Sequence, residues 1–306
     1  MQFLDVRTDF AFKRVFGSEQ SKAVLLDFLN AIIDFGEDTS ITDLTIVDPY
    51  QIPLIKGMKD SYVDVKAVLS NQSRVIIEMQ VLNVEGFEKR ILYNAAKIYS
   101  NQLKKSEQYA TLEPIIALTI TDFEMFPDLA KVISYWDLRE RDVLLKYSDD
   151  IQLIFVELPK FTKQENELES ITDKWLYFIK HAGELDFIPR SFTEPPLLEA
   201  FDIANTAALS EEELEAQFKR RDFIWLQRGA REKAVKDGIA QGIAIGIAQG
   251  QMEGKLEGKL EGKLEGKLET ARNMLRDGLA ADMVCRYTGL SKEAVERLQT
   301  ESTNNF

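Results

Sequence analysis

Ser61-Tyr62-Val63-Asp64-Val65-Lys66-Ala67-Val68-Leu69-Ser70 is followed, after Asn71-Gln72-Ser73, by Arg74-Val75-Ile76-Ile77-Glu78-Met79-Gln80-Val81-Leu82. Both runs alternate apolar and polar residues. Side chains on a strand alternate faces, so the pair reads as a β-hairpin. Val63, Val65, Ala67 and Leu69 share one face, with Asp64 and Lys66 on the other. Val75, Ile77, Met79 and Val81 likewise lie opposite Glu78 and Gln80. The apolar faces coincide only if odd-numbered residues pair with odd-numbered ones, because a one-residue slip turns every side chain over. A two-residue turn would set Asp64 across from Met79, on the wrong face. A three-residue loop from Asn71 to Ser73 pairs Lys66 with Glu78 and Asp64 with Gln80. The sequence therefore predicts a three-residue connection or a bulge, with Asp64, Glu78 and Gln80 gathered on one face.

Strands built from Val, Ile and Met have little reason to carry carboxylates. Magnesium takes oxygen ligands and usually one or two carboxylates. Asp64 and Glu78 on neighbouring strands thus predict a metal-dependent phosphodiester-cleaving site, the plain alternative being a solvated sheet face.

Composition narrows the chemistry further. The chain has 306 residues, 45% of them hydrophobic, enough for one large domain or two modest ones. No apolar run approaches the roughly 18 residues of a membrane span. The first residues lack the basic start and apolar core of a signal peptide, so a cytoplasmic protein is expected. The single cysteine, Cys285, excludes an intrachain disulfide framework. One histidine, His181, and one cysteine cannot build a zinc site within the chain. A Ser-His-Asp triad would have to use His181, which ends a helical run where a histidine more often meets the terminal carbonyls. Chemistry must then rest on carboxylates, lysines or metal. The net charge is −13, yet residues 1–110 hold 13 Lys and Arg against 15 Asp and Glu, while 111–306 hold 25 against 36. The acidity lies mostly outside the candidate site, and no basic surface is obvious, so phosphate-driven affinity should be modest.

Along the chain, Thr8 to Gly17 reads as a capped helix, and Ser18 or Ser21 opens a second through Ile33. A strand is expected around Leu44–Ile55 before the hairpin. Gly86–Lys105 has a helical stripe, and Pro114–Thr121 is the near-continuous apolar run of a strand covered on both faces. Asp150–Leu158 is a further strand, followed by a helix containing Trp175, and Pro189 with Pro195-Pro196 mark a junction. Four segments follow: a body at 1–190, a helical linker at 191–237, a repeat at 238–269 and a small helical unit at 270–306. Glycine stands at every fourth position from Gly238 to Gly266, ending in repeats of Glu-Gly-Lys-Leu. Four-residue steps overshoot a helical turn and stack like charges, and each glycine costs about 1 kcal/mol against alanine. The repeat is therefore a poor helix on its own, either a solvated spacer or a self-associating segment. Ala281–Tyr287 and Ser291–Leu298, joined through Thr288-Gly289-Leu290, resemble a helix-turn-helix.

Thr8-Asp9 with Phe12-Lys13 and Phe16, then Asp64, Glu78-Met79-Gln80, Arg90 with Tyr93, Leu158-Pro159-Lys160-Phe161, Trp175 and the glycine-repeat tail together resemble a bacterial family. It is the Rpn-type recombination-promoting nucleases, transposase-like members of the PD-(D/E)XK nuclease superfamily, and the resemblance covers about residues 3–270. It implies an α/β, restriction-endonuclease-like core with a central mixed sheet flanked by helices, plus a helical C-terminal tail. It also implies magnesium-dependent hydrolysis of DNA. Asp64, Glu78 and the Met79 main-chain carbonyl would hold Mg2+. Gln80 stands where the superfamily usually has lysine; an amide can orient water but cannot supply charge or move protons. Asp9 would accept a bond from a water at the metal. Lys66, opposite Glu78 in the register above, would partly replace the missing lysine, against the plain alternative of a cross-strand ion pair. Arg90 and Tyr93 would contact phosphate. The competing expectation is a catalytically weak or inactive DNA-binding and assembly protein that forms homo-oligomers through residues 238–306.

Overall fold

The computed structural model describes residues 3–36, 39–51, 61–103 and 106–303. Its body is a mixed six-stranded sheet covered on both faces. In chain order the strands are β1 (Leu44–Ile46), β2 (Tyr50–Gln51), β3 (Ser61–Tyr62), β4 (Val65–Leu69), β5 (Arg74–Gln80), β6 (Ile115–Thr121), β7 (Ile133–Arg139) and β8 (Lys146–Glu157). The main sheet runs β1-β4-β5-β6-β8-β7, and β2 and β3 form a separate pair. β5, β6 and β8 are parallel, while β1 with β4, β4 with β5 and β7 with β8 are antiparallel. All seven residues of β6 are buried, as its unbroken apolar run requires of a central strand. Of the strand expected around Leu44–Ile55, residues 52–55 lie outside the described residues.

Among the described residues the α-helices are α1 (Asp9–Phe16), α2 (Lys22–Ile32), α3 (Phe87–Ser100), α4 (Ile171–His181), α5 (Pro195–Ala204), α6 (Glu211–Arg276), α7 (Ala281–Thr288) and α8 (Lys292–Thr303). α1, α2, α4 and α5 bury Phe12, Phe16, Phe28, Trp175, Phe178 and Phe201 against Val65, Ala67, Val75, Ile77 and Met79. The Trp175 indole donates to Asp27 Oδ2 at 2.7 Å, which satisfies the one polar atom of a fully buried side chain. On the opposite face, Ala95 and Ile98 of α3 cover Ile76, Ile115 and Ala117. Lys160 answers the buried Glu157 at the end of β8, and Glu157 also accepts the Phe126 N–H at 2.8 Å. The Leu158-Pro159-Lys160-Phe161 stretch thereby ties the chain after β6 to the sheet.

Several expectations are corrected. β7 gave no strand signal, since its burial is broken and most of its side chains are exposed. Pro195-Pro196 opens α5 rather than a junction, because proline suits the first helical turn. Leu197, Ala200, Phe201 and Ala204 of that helix are buried in the main core. One compact unit spans Met1–Arg228 and a second spans Gly229–Phe306. The repeat is helical throughout and exposed. Nucleation is the costly part of a helix, so flanking turns already formed leave the glycines only a propagation cost. In the second unit, Ala271, Val284, Val295 and Leu298 form a small core, and Gly289, at φ +64°, ends α7 in the left-handed conformation that suits glycine.

Candidate active site

The hairpin connection is three residues long, but it sits one residue earlier than expected. The Leu69 N–H donates to the Ser73 carbonyl, the Gln72 N–H donates back to Leu69, and Gln72 takes a left-handed φ of 69°. The register is Val65 with Ile77, Lys66 with Ile76 and Ala67 with Val75. Odd residues still pair with odd ones, so burial of the apolar face is met equally well. The pairing has moved by two residues, a choice the apolar pattern cannot make.

Two consequences follow for the site. Lys66 stands across from Ile76 rather than Glu78. Its charged neighbours are Arg74 and Asp48, and burial together with Arg74 holds its ammonium below the usual range. The same register, carried one pair further, sets Asp64 across from Glu78 instead of Gln80.

The alternation also breaks at Asp64. Val63 packs with Ile76, Ala95 and Ile98 on the α3 side, while Val65 packs on the other side. The Asp64 N–H donates to Ile77, and its carboxylate Oδ2 accepts the Met79 N–H at 2.8 Å. Asp64 thus turns toward α1, where Lys13 Nζ lies 3.5 Å from its Oδ1 and 2.7 Å from Asp9 Oδ1. Gln80 and Glu78 face α3 instead. Arg90 donates to Glu78 Oε1 and to Gln80 Oε1, the latter at 2.8 Å, and its guanidinium lies 5.0 Å from the Phe87 ring centre. The Gln80 amide nitrogen donates to the Leu82 carbonyl at 2.7 Å.

Most of the predicted site residues therefore fall into two clusters, one of them completed by Lys13. Asp9, Lys13 and Asp64 make one; Glu78, Gln80 and Arg90 make the other, and Met79 joins them. Asp9 is the first residue of α1 and not its cap, which is Thr8. Tyr93 is partly exposed on α3, with the Lys97 ammonium 5.9 Å from its ring centre.

Burial sets the electrostatics. The side chains of Asp64 and Glu78 are only 13% and 14% exposed. Burial, against the Met79 N–H and with the Asp9 carboxylate adding to it, pushes the Asp64 carboxyl from 3.8 up to about 7. Burial also raises Glu78, against the pull of Arg90 and Asn94. Asp9 is buried enough to resist ionisation, yet Lys13 brings it below the usual carboxylate range. Lys13 is raised in turn: its two carboxylate neighbours outweigh its burial.

Two residues escaped the sequence reading. Lys13 is four residues from Asp9, the spacing of a helical ion pair, and that signal was present. A Cβ on Gly17 would stand 2.7 Å from the Lys13 carbonyl, so glycine there lets the chain close the helix that carries Lys13. Asn94 is four residues after Arg90, 1% exposed and near Glu78, but its amide makes no hydrogen bond of ordinary geometry.

The donor set fits a hard divalent cation. Asp64 and Glu78 are both largely buried and come level in the strand register, the Met79 carbonyl follows Glu78 in sequence, and a buried amide beside Glu78 wants a partner. Among the described residues no three His, Cys, Asp or Glu side chains converge on one point, so any such ion would draw on main-chain oxygen as well. His181 is not near this chemistry: it ends α4, its Nδ1 3.2 Å from Glu184 and its ring against Tyr177. No described helix is long and apolar enough to cross a membrane.

Comparison with known families agrees with the fold and with both ends of the chain. Residues 6–234 match the family model described as PD-(D/E)XK nuclease family transposase. Residues 264–300 match the Rpn/YhgA-like nuclease family C-terminal HTH domain, which covers α7 and most of α8 and points to DNA as a partner. No curated protein and no solved structure matches. With three quarters of its length inside one nuclease model and the matching helix-turn-helix at its end, the chain belongs to the Rpn-type PD-(D/E)XK nuclease family transposases.

Proposed function

We propose that this protein is a magnesium-dependent DNA endonuclease that hydrolyses phosphodiester bonds in recombination or mobile-element processing. The observation that carries the reading is the strand register that brings Asp64, just before β4, level with Glu78 of β5, with the Met79 N–H donating to the Asp64 carboxylate. Asp64, Glu78 and the Met79 carbonyl would hold the Mg2+, which when bound supplies Lewis-acid stabilisation of phosphate charge and acidifies water.

The chain's own residues supply the rest. Lys13, rather than Lys66, is the lysine within reach of Asp64. It provides the fixed positive charge that Gln80 lacks, and it keeps Asp9 ionised as a proton acceptor. Gln80 holds Arg90 through its amide oxygen. Arg90 neutralises Glu78 while the site is empty of substrate and, once released, presents its planar fork to the scissile phosphate. Tyr93 lies one turn further along the same helix as a second phosphate contact.

Nicking of supercoiled plasmid by the full chain tests this. Wild type should nick with Mg2+ and not with EDTA, and Asp64→Ala and Glu78→Ala should each lose at least ~100-fold in rate. Metal-independent nicking, or full activity in either variant, would remove the proposal. A second reading adds self-association through residues 238–306. Ile239, Ile243 and Ile247, and then Leu256, Leu260 and Leu264, form two four-residue-spaced runs on α6 and are each more than half exposed. Light scattering on the full chain should then give a mass above one 35.0 kDa copy.

A further inference from the structure

Within this acidic chain, the stretch Phe218-Lys219-Arg220-Arg221-Asp222-Phe223-Ile224-Trp225-Leu226-Gln227-Arg228 carries four basic residues and one acid. It is helical, it forms the early part of α6, and it belongs to the body. Its position relative to the acids is fixed at both ends. Gln217 accepts a bond from Thr8, the residue before Asp9, and the charge of Arg220 acts on Asp9 itself. Arg228 pairs with Asp122, whose N–H donates to the Gln80 carbonyl at 3.0 Å. The segment therefore runs from the Asp9 cluster to the Gln80 strand end.

Its side chains are displayed toward solvent. Trp225 is 73% exposed, and Phe218 and Phe223 are each 47% exposed. Among the described residues neither Arg220 nor Arg221 makes an ion pair. Each guanidinium instead lies over an aromatic ring of the same helix, 5.7 Å from Phe223 and 5.2 Å from Phe218. Beside Trp225 opens a recess of about 230 Å³ bounded by Arg7, Val81, Asp122, Arg221 and Arg228. A buried structural helix would hide its tryptophan and pair its arginines; this one exposes Trp225 and pairs only Arg228 of its three arginines. Guanidinium groups without an ion-pair partner, interleaved with exposed aromatic rings, are what a strand of nucleic acid with unpaired bases requires, phosphates taking the charge and bases the rings.

We propose that residues 218–228 are the platform that holds a single-stranded stretch of the DNA substrate beside the acids, Arg220 and Arg221 contacting phosphates and Trp225 stacking on a base. The inference rests on the nuclease reading for its substrate, but its test does not need cleavage. Binding of a fluorescently labelled oligo-dT to the full chain is followed by anisotropy in EDTA over a range of salt. Arg220→Ala with Arg221→Ala should lower the slope of log K against log salt by about 1.4, two phosphate contacts' worth for a single strand. Trp225→Ala should weaken binding by about tenfold at fixed salt. Lys255→Ala with Lys259→Ala, which removes the same charge from the repeat, should change neither. Thermal unfolding of each variant should match wild type, since the altered side chains are exposed. An unchanged slope in the double arginine variant with unchanged affinity in Trp225→Ala overturns the platform. So does displacement of the labelled strand by poly-glutamate as readily as by unlabelled DNA, which would mark a site for acidic protein. Failure of wild type to nick plasmid would count against the nuclease reading alone and leave this binding result standing.

Discussion

Asp64 and Glu78 come level in the register of two neighbouring strands, yet their side chains turn to different helices. Asp64 turns to α1 and shares the flexible ammonium of Lys13 with Asp9; Glu78 turns to α3 and is held by the planar guanidinium of Arg90. Both carboxylates are largely buried, and burial raises both. The cations differ in what they can do. Lysine is a point charge that can follow a proton or a phosphate, whereas the arginine fork fixes a geometry and stays charged. One side of the site is suited to charge and proton work, the other to holding an acid in place until phosphate arrives.

Breaking the lysine side should cost most. Lys13→Met is expected to reduce the Mg2+-dependent nicking rate by about 10- to 100-fold, the scale of removing one charge-stabilising group. Lys66→Met should leave the rate unchanged; equal losses in the two variants would erase the distinction between the lysines. Stability gives the next contrast. Because the folded Asp64 carboxyl titrates near 7 and its ordinary value is 3.8, the folded protein keeps a proton that the unfolded chain has shed between those values. Stability therefore falls as pH rises through that window. Asp64→Asn, whose amide oxygen can still accept the Met79 N–H, should stabilise the metal-free protein at pH 8 by roughly 2–4 kcal/mol, the gain vanishing near pH 4. Urea unfolding in EDTA at the two pH values reads it. The smallest effect lies on the arginine side. Arg90→Ala removes the cation that competes for Glu78, so magnesium affinity by calorimetry should rise by about 3- to 10-fold, a differential of roughly 1 kcal/mol.

Much of this was legible in the residues. The strand parity, the buried β6, the helix bearing Arg90 and the elimination of histidine chemistry all follow from period and composition. The two-residue shift of register was not legible, because it depends on Gln72 taking a left-handed conformation that no glycine advertises. Nor was the turn of Asp64 toward α1. The alternation of Val63 and Val65 implies one face, and only the packed helices show that the chain kinks between them. Lys13 was in plain view four residues from Asp9, but a short helix does not say which strand it will meet. The basic stretch at 218–228 was hidden by averaging: a net charge taken over residues 111–306 dilutes four cations in a run of acids. The reading of Lys66 failed for the same reason as the register on which it was built.

The pairing of Asp64 with Glu78 is tested most directly by magnesium titration of the full chain, followed by calorimetry in wild type and in the two single variants. One site is predicted in wild type, lost in both Asp64→Ala and Glu78→Ala and kept in Lys66→Met. Undiminished binding in either acid variant would contradict a shared metal site across β4 and β5.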